Sequence, residues 1–163
     1  MNENYIMLNG KRVDLTEEQI EKLGLKVEKE DCFKRANKYY FINSAGNVLY
    51  ENDFEHWMGI DRYEIANYCT DKSLMEQRAL HETLSRLLWR FSMQNDGDKI
   101  DWSDKHAGKY RIIFNNCNKK FLIYNNLQDI NIEAPYFNTY EIAQRAIDEI
   151  ILPFMKEHPE FVW

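Results

Sequence analysis

Five side chains between positions 57 and 68 combine aromatic rings, a guanidinium and a carboxamide: Trp57, Arg62, Tyr63, Asn67 and Tyr68. Rings beside an arginine and an amide can stack on a nucleic-acid base and hydrogen-bond its edge. The same residue types are enriched at the centres of protein–protein interfaces. In the structural alternative, the rings pack beneath a loop and Arg62 pairs with Asp61 or Glu64. We predict that this segment binds a partner or a ligand.

A second candidate surface lies on a predicted helix, where Arg86 and Arg90 flank Trp89. The ring of Trp89 faces either solvent or a partner. If the segment around Arg62 proves structural, this helix face is the next candidate for a binding site.

Residue types that bind metals are present without the spacing that metal sites require. Four aspartates share one loop: Asp96, Asp98, Asp101 and Asp104. The loop lacks the EF-hand spacing and its closing glutamate, so these side chains are predicted to be solvated. No two histidines are three or four residues apart and no two cysteines form C-x-x-C, so no zinc site is predicted.

Cys69, Glu76 and Glu82 are the remaining candidates for catalysis. Cys69 could act as a nucleophile with a distant histidine, but a buried structural thiol is favoured. Glu76 and Glu82 lie on a predicted helix, where solvated surface charges are the simpler interpretation. The sequence therefore predicts a non-enzymatic protein with no catalytic residue, no metal and no cofactor.

Charge and hydropathy disfavour several classes of partner. The chain has 163 residues, 21 basic and 27 acidic side chains and a net charge of −6. No segment concentrates basic residues, which disfavours binding to duplex DNA. No apolar run approaches the ~20 residues of a membrane helix, and the first residues do not resemble a signal peptide. Three widely spaced cysteines are typical of reduced thiols, so we expect a cytoplasmic protein without membrane association.

The elements that must position the candidate residues occur twice. Residues 38–50 (KYYFINSAGNVLY) and 109–124 (KYRIIFNNCNKKFLIY) each predict two strands joined by a polar turn. An amphipathic helix follows each pair, over about 71–93 and 139–155, with apolar residues at three- and four-residue spacing. Both helices contain Gln-Arg-Ala. The predicted fold class is α+β.

The predicted organisation has two β-meander-plus-helix units, which we name repeat 1 (residues 32–93) and repeat 2 (109–163). An acidic loop, 94–108, connects them, and residues 1–31 form a small N-terminal strand and helix cap. Together these parts are expected to form one compact domain. Internal duplication accounts for the repetition, and two convergent strand–strand–helix pieces are the alternative. In either case two helices must cover one face of a sheet.

Several details can be checked against the structure. Thr16 and Gln19 predict a capping box at the start of a short helix. An Asn-Gly hairpin turn is predicted before this helix, and a glycine is predicted to end it. Residues 32–36 and 129–134 are predicted as additional strands, and residues 53–69 as a loop or a cover for the sheet edge. A proline, which should kink or end the second helix, interrupts the apolar stripe of that helix.

Several of these stretches resemble small uncharacterised proteins of phages and prophages of Firmicutes. The shared pattern is an aromatic strand, Ser-x-Gly-x-Val, an Asp-rich spacer and Arg-Tyr-x-x-Gly-Asn-Tyr-Phe-x-Thr before a helix. Here it reads KYYFINSAGNV and then RYEIANYCT, with Ala66 where Gly is usual and Cys69 where Phe is usual. LNGKRVDLTEEQIEKLGL and the C-terminal YFNTYEIAQRAIDEIILPFMKEHPEFVW are also similar to this family. The resemblance implies a mobile-element origin and an accessory or anti-defence role.

The predicted function is that of a non-enzymatic phage or mobile-element protein that binds a host or defence-system protein, as anti-CRISPR inhibitors do. A small acidic protein can occupy a basic nucleic-acid channel by charge complementarity. The alternative is a binder of nucleotides or single-stranded nucleic acid that uses an aromatic surface. A third hypothesis is an enzyme whose site is assembled from distant residues.

Overall fold

The protein is a mixed α+β chain, as predicted from the sequence. The computed structural model describes these residues: 5–8, 11–22, 32–53, 57–125 and 135–163. The chain divides into two compact units, an N-terminal unit of Met1–Cys32 and a main unit of Phe33–Trp163. The described strands pair in antiparallel hairpins.

The N-terminal unit contains one hairpin and one short helix. Strand β1 (Tyr5–Leu8) pairs with β2 (Lys11–Asp14), and helix α1 (Glu17–Lys22) follows. The Thr16 backbone N–H donates to Gln19 Oε1 at 2.9 Å, and the Gln19 N–H donates to Thr16 Oγ1 at 3.3 Å. The predicted capping box is therefore confirmed. The Asn-Gly turn and the helix-ending glycine that the sequence predicts lie outside the described residues.

Repeat 1 is a hairpin followed by two helices. Strand β3 (Lys38–Ile42) pairs with β4 (Val48–Asn52), and helices α2 (Trp57–Glu64) and α3 (Lys72–Gln94) come next. The turn between the strands contains Gly46 at a φ of 86°. Glycine adopts this left-handed conformation at no steric cost, because it has no Cβ.

The predicted strand over residues 32–36 is wrong. This segment begins with a turn, and Arg35 then binds Asp53 through two hydrogen bonds of 2.9 and 2.8 Å. The backbone N–H and C=O of Ala36 both bond the Tyr68 hydroxyl, each at 2.8 Å. The Tyr68 side chain thus satisfies the backbone of Ala36, so this residue needs no hydrogen bond to a neighbouring strand.

Helix α3 confirms the long helix that the apolar spacing predicts. It begins after Asp71, whose carboxylate accepts hydrogen bonds from the backbone of Ser73 at 2.8 Å and of Leu74 at 3.2 Å. Such a cap satisfies donors that have no partner within the helix. The buried face of α3 consists of Met75, Ala79, Leu84, Leu88, Phe91 and Ser92.

Repeat 2 is a second hairpin followed by an interrupted helix. Strand β5 (Tyr110–Asn115) pairs with β6 (Lys120–Asn125). Helix α4 (Tyr140–Ala146) continues through a π-helical turn (Ile147–Ile151) into helix α5 (Leu152–Glu157). The additional strand predicted over 129–134 lies outside the described residues.

The interruption of this helix has a chemical cause. Pro153 has no N–H to donate to the carbonyl of residue 149, so regular α-helical bonding cannot pass through it. The wider π turn lies immediately before the proline. The proline therefore distorts the helix, as predicted, without ending it.

The larger core of the main unit lies between α3, the α4–α5 helix and the second hairpin. Its buried members are Leu84, Leu88, Phe91, Phe137, Ala143, Ala146, Ile147, Ile151, Phe154 and Phe161. The apolar stripe predicted for the second helix supplies half of them, and Ile142 and Ile150 pack against the cluster from its margin. A smaller cluster of Tyr39, Phe41 and Tyr68 lies under the first hairpin.

The two repeats share a connection as well as an order of elements. Tyr40 of β3 exchanges two backbone hydrogen bonds with Cys69, and Tyr110 of β5 exchanges two with Phe137. In each case the bridge lies two residues before the helix N-cap, which is Asp71 or Thr139. This shared geometry agrees with duplication, which is a claim about ancestry and stays a prediction.

The Gln-Arg-Ala triplets do not correspond in the same way. Gln77 lies six residues after the N-cap Asp71, whereas Gln144 lies five residues after the N-cap Thr139. One residue shifts a side chain by about 100° around a helix. The repeated triplet is therefore not a structural match, and the shared bridges are the better argument for a common plan.

Candidate functional site

The five predicted binding residues separate into two groups. Asn67 and Tyr68 bind the first hairpin, and Arg62 reaches down to that hairpin from α2. Trp57 and Tyr63 are exposed. All five residues therefore lie in one region, but three of their side chains contact the rest of the protein and two are exposed to solvent.

Asn67 completes the edge of strand β3. Its carboxamide accepts a hydrogen bond from the Ile42 N–H and donates one to the Ile42 carbonyl, both at 2.8 Å. The side chain therefore replaces a neighbouring strand at this position, and both ends of the amide are occupied.

Tyr68 is a core residue. Its ring stacks on Tyr39 with centroids 4.1 Å apart and planes 11° from parallel, and Tyr63 meets it edge-on at 5.5 Å. The Tyr68 hydroxyl accepts from the N–H of Ala36 and donates to the carbonyl of the same residue. Burial raises the pKa of Tyr68, so the phenol remains neutral and can serve as this bridge.

Arg62 connects α2 to the hairpin. Its guanidinium donates to the Tyr39 hydroxyl at 2.7 Å, forms an ion pair with Glu51, and lies over the Phe41 ring at 3.5 Å. The ion-pair partner is therefore neither of the two acids on α2 that the structural alternative named. Burial raises the pKa of Tyr39, which keeps its hydroxyl available to accept from Arg62 and to donate to Glu51.

Residues 53–69 are not merely a loop or an edge cover, because they contain the helix α2. Arg62 of α2 lies over Phe41, so the helix contacts a face of the hairpin rather than its edge. The side of α2 toward the hairpin consists of Gly59 and Arg62 rather than apolar residues, so no hydrophobic period in the sequence predicts this helix.

The outward side of α2 is apolar to an unusual degree. We define the α2 surface by the exposed large hydrophobic side chains of residues 57–65, which are Trp57, Met58, Ile60, Tyr63 and Ile65. Their exposed fractions lie between 36% and 68%, and they account for five of the seventeen such side chains in the described parts of the chain. Sequence reasoning found two of these five and missed Met58, Ile60 and Ile65.

Two acids lie among these apolar side chains. Asp61 and Glu64 are both exposed, and within the described residues neither forms an ion pair. The one cation of α2, Arg62, is already paired with Glu51. The α2 surface is therefore apolar with a negative charge.

Close packing and a specific cap hold α2 in place. A Cβ on Gly59 would lie 3.0 Å from the Asp53 carboxylate, so the helix approaches the hairpin as closely as glycine permits. At the C-terminus the Asn67 N–H donates to the Arg62 carbonyl and the Ala66 N–H donates to the Tyr63 carbonyl. This pair of bonds is the Schellman motif.

Ala66 occupies the position of that motif where glycine is favoured. Its φ is 57°, in the left-handed region. Replacing Ala66 by Gly is expected to raise the free energy of unfolding by about 0.5–1 kcal/mol, because the steric cost of the Cβ disappears. Urea denaturation followed by circular dichroism measures the change.

Ala45 provides a matched control for this substitution. It is exposed in the first hairpin turn and is not among the residues with positive φ. Ala45→Gly should lower stability slightly, since glycine there only adds freedom to the unfolded chain. If Ala66→Gly behaves like Ala45→Gly, the left-handed conformation at position 66 is not strained.

A cavity of about 830 Å³ is lined in part by acids and a histidine: Asp71, Glu76, His158 and Glu160. Asp71 is the N-cap of α3, and hydrogen bonds from Ser73 and Leu74 hold its pKa below the ordinary value. Glu76 is paired with Lys72 at 2.8 Å. These two carboxylates therefore have structural partners.

The other candidate catalytic side chains are also accounted for by local structure. Cys69 is buried, and its backbone pairs with Tyr40. Glu82 forms ion pairs with both Arg78 and Arg86, each at 2.9 Å.

In the aspartate-rich loop, carboxylates bind nearby groups. Asp101 accepts from the backbone of Ser103 and Asp104, and Asp96 pairs with Lys99. Within the described residues, no group of three or more metal-binding side chains lies close enough together to hold a metal ion.

None of the helices in the described ranges is both long enough and apolar enough to cross a membrane. No known protein family, curated protein sequence or solved structure shows significant similarity to this chain.

Proposed function

We propose that this protein is a non-enzymatic accessory protein of a phage or prophage that binds a host or defence-system protein through the α2 surface. The observation that carries the proposal is the concentration of five exposed apolar side chains within nine residues. Single exposed apolar residues are normal on a protein surface, whereas a contiguous group is typical of an interaction site.

The charges on α2 indicate the kind of partner. Asp61 and Glu64 add negative charge beside the apolar side chains, in a chain whose net charge is −6. A complementary surface would be apolar with basic residues at its margin. Nucleic-acid channels of host or defence proteins have the required positive charge.

The attachment of α2 favours binding by a preformed surface. Arg62, the close contact at Gly59 and the two hydrogen bonds between the Asn67 side chain and Ile42 fix this segment to the hairpin. A surface that is already ordered loses little conformational entropy when a partner binds. Apolar side chains on such a surface can therefore contribute to affinity.

Affinity capture from a lysate of a Firmicutes host tests the proposal. The immobilised protein is expected to retain a specific host protein, and Ile65→Asp is expected to weaken its capture at least about tenfold by placing a charge in an apolar interface. Ile65 is exposed, so this variant should fold normally.

Leu152→Asp is the matched control. Leu152 is an exposed apolar residue on α5, so the change adds the same charge elsewhere on the surface. Capture that survives Leu152→Asp but not Ile65→Asp assigns the interface to the α2 surface. Equal capture by wild type and Ile65→Asp would refute this assignment, and recovery of no specific protein would count against the function itself.

The nucleic-acid alternative is less favoured at this surface. Phosphates would meet Asp61 and Glu64, and the nearby cation Arg62 is already paired with Glu51. Like charges without compensating cations oppose association with a polyanion.

A further inference from the structure

A groove formed by other residues of repeat 1 has a different chemical character. It has a volume of about 420 Å³ and lies between the turn of the first hairpin and α3. Its walls are Ser44, Ala45, Thr83, Arg86, Leu87, Trp89 and Arg90. The turn lies close to α3, because a Cβ on Gly46 would be 3.3 Å from the Thr83 hydroxyl.

The groove concentrates positive charge in an acidic protein. Helix α3 contains four basic and two acidic side chains, and both acids lie in its first half. Glu82 is shared by Arg78 and Arg86, and Arg90 forms no ion pair within the described ranges. The second half of α3 therefore carries a net positive charge, because Arg90 has no ion pair in those ranges and Arg86 shares the single charge of Glu82 with Arg78.

Trp89 adds a flat apolar surface beside these arginines. Trp89 is 60% exposed, and in the sequence it is three residues from Arg86 and adjacent to Arg90. An exposed tryptophan next to guanidinium groups can stack on a base while the arginines contact phosphates.

We propose that this groove binds single-stranded nucleic acid, with a base stacked on Trp89 and the backbone phosphates bound by Arg86 and Arg90. The inference concerns a site separate from the α2 surface and does not depend on the function proposed there. A volume of about 420 Å³ is within the range of small-molecule sites and suits one nucleotide of the strand.

The geometry favours a single strand over a duplex. A base can stack on Trp89 only if its face is exposed, and a duplex buries that face against neighbouring base pairs. The groove is short, and α3 offers two arginines rather than the extended basic surface that duplex binders use.

Fluorescence anisotropy with a labelled oligothymidylate of about twelve nucleotides tests the inference at ~50 mM salt. The wild-type protein is expected to bind, and Trp89→Ala to weaken binding about tenfold by removing one stacked base. Arg90→Gln should weaken binding and make the salt dependence shallower by about 0.7 in log–log slope, the value for one phosphate contact to a single strand.

Two control variants remove an arginine and a tryptophan that lie outside the groove. Arg145→Gln removes an exposed arginine from α4, where it pairs with Glu149, and should leave the salt slope unchanged. Trp57→Ala removes an exposed tryptophan from the α2 surface and should leave oligonucleotide binding unchanged. Loss of binding in Trp57→Ala but not in Trp89→Ala would transfer the nucleic-acid site to α2 and overturn the inference.

Competition experiments identify the chemistry that is recognised. Thymidine monophosphate should compete with the labelled strand, because it supplies both base and phosphate. Polyglutamate that competes as well as unlabelled oligothymidylate would assign the groove to an acidic protein instead. Three results would overturn the inference. They are competition by polyglutamate at this level, equal competition by a duplex of the same length, and no binding of the oligonucleotide by the wild-type protein.

Discussion

Replacement of Ile147 by Asp is expected to unfold the main unit. Ile147 is 5% exposed and lies at the start of the π-helical turn, within the larger core. A carboxylate there would lose its hydration among the apolar side chains of the core, and the core would also lose the packing of the isoleucine. The combined cost is on the order of 5 kcal/mol, comparable with the total stability of a typical domain.

Far-UV circular dichroism and urea denaturation measure this effect. Ile65→Asp is the matched control, since Ile65 is among the most exposed apolar residues and the same change there should cost less than about 1 kcal/mol. An Ile147→Asp protein with wild-type helix content and an unchanged urea midpoint would show that the core does not form around this residue.

The second helix was predictable because its apolar spacing and its environment agree. Ala143, Ile147 and Phe154 recur at helical spacing in the sequence, and all three are buried in the structure. Exposed Arg145 and Glu149, on the opposite side, form an ion pair within one turn. When one face is apolar and the other charged, periodicity alone identifies the buried surface.

Helix α2 could not be found in the same way, because its buried side is not apolar. Gly59 and Arg62 face the hairpin, and most of the hydrophobic side chains of this short helix face outward. A pattern that places a glycine and an arginine inward has no hydrophobic period to detect. The outward position of the apolar side chains is also the reason for proposing an interaction surface on α2.

The five predicted binding residues lie in one region of the structure but have two different roles. Asn67 and Tyr68 satisfy backbone groups that are distant in sequence, those of Ile42 and Ala36. Such long-range hydrogen bonds leave no local signal, so an amide and a phenol near an arginine look the same whether they bind a ligand or the protein's own backbone. Residue types indicated the region, and only the tertiary structure separates its inward and outward members.

Arg62→Ala is expected to lower the free energy of unfolding by about 2 kcal/mol. Exposed ion pairs contribute about 0–1 kcal/mol and loss of one partner of a buried pair costs about 3–5 kcal/mol. The Arg62–Glu51 pair is intermediate, because the two side chains are 22% and 41% exposed. The substitution also removes the hydrogen bond to Tyr39 and the stacking on Phe41.

Two further variants separate the contributions of charge and geometry. Arg62→Lys keeps the charge but cannot place a planar group on Phe41 while binding both Tyr39 and Glu51, so it should recover only part of the loss. Arg145→Ala removes an exposed arginine that pairs with Glu149 and bonds Asn95 at 3.2 Å, and it should cost less stability than Arg62→Ala.

Urea denaturation and host-protein capture must be measured on the same Arg62→Ala preparation. If Arg62 holds α2 in place, Arg62→Ala lowers the free energy of unfolding. Any weakening of host-protein capture then follows from this loss, and Arg62→Lys should partly restore both stability and capture. If Arg62 instead contacts the partner, capture is lost while the unfolding free energy stays within about 0.5 kcal/mol of wild type. The second result would contradict the structural role assigned here, because the bonds to Tyr39 and Glu51 would then contribute nothing to the fold.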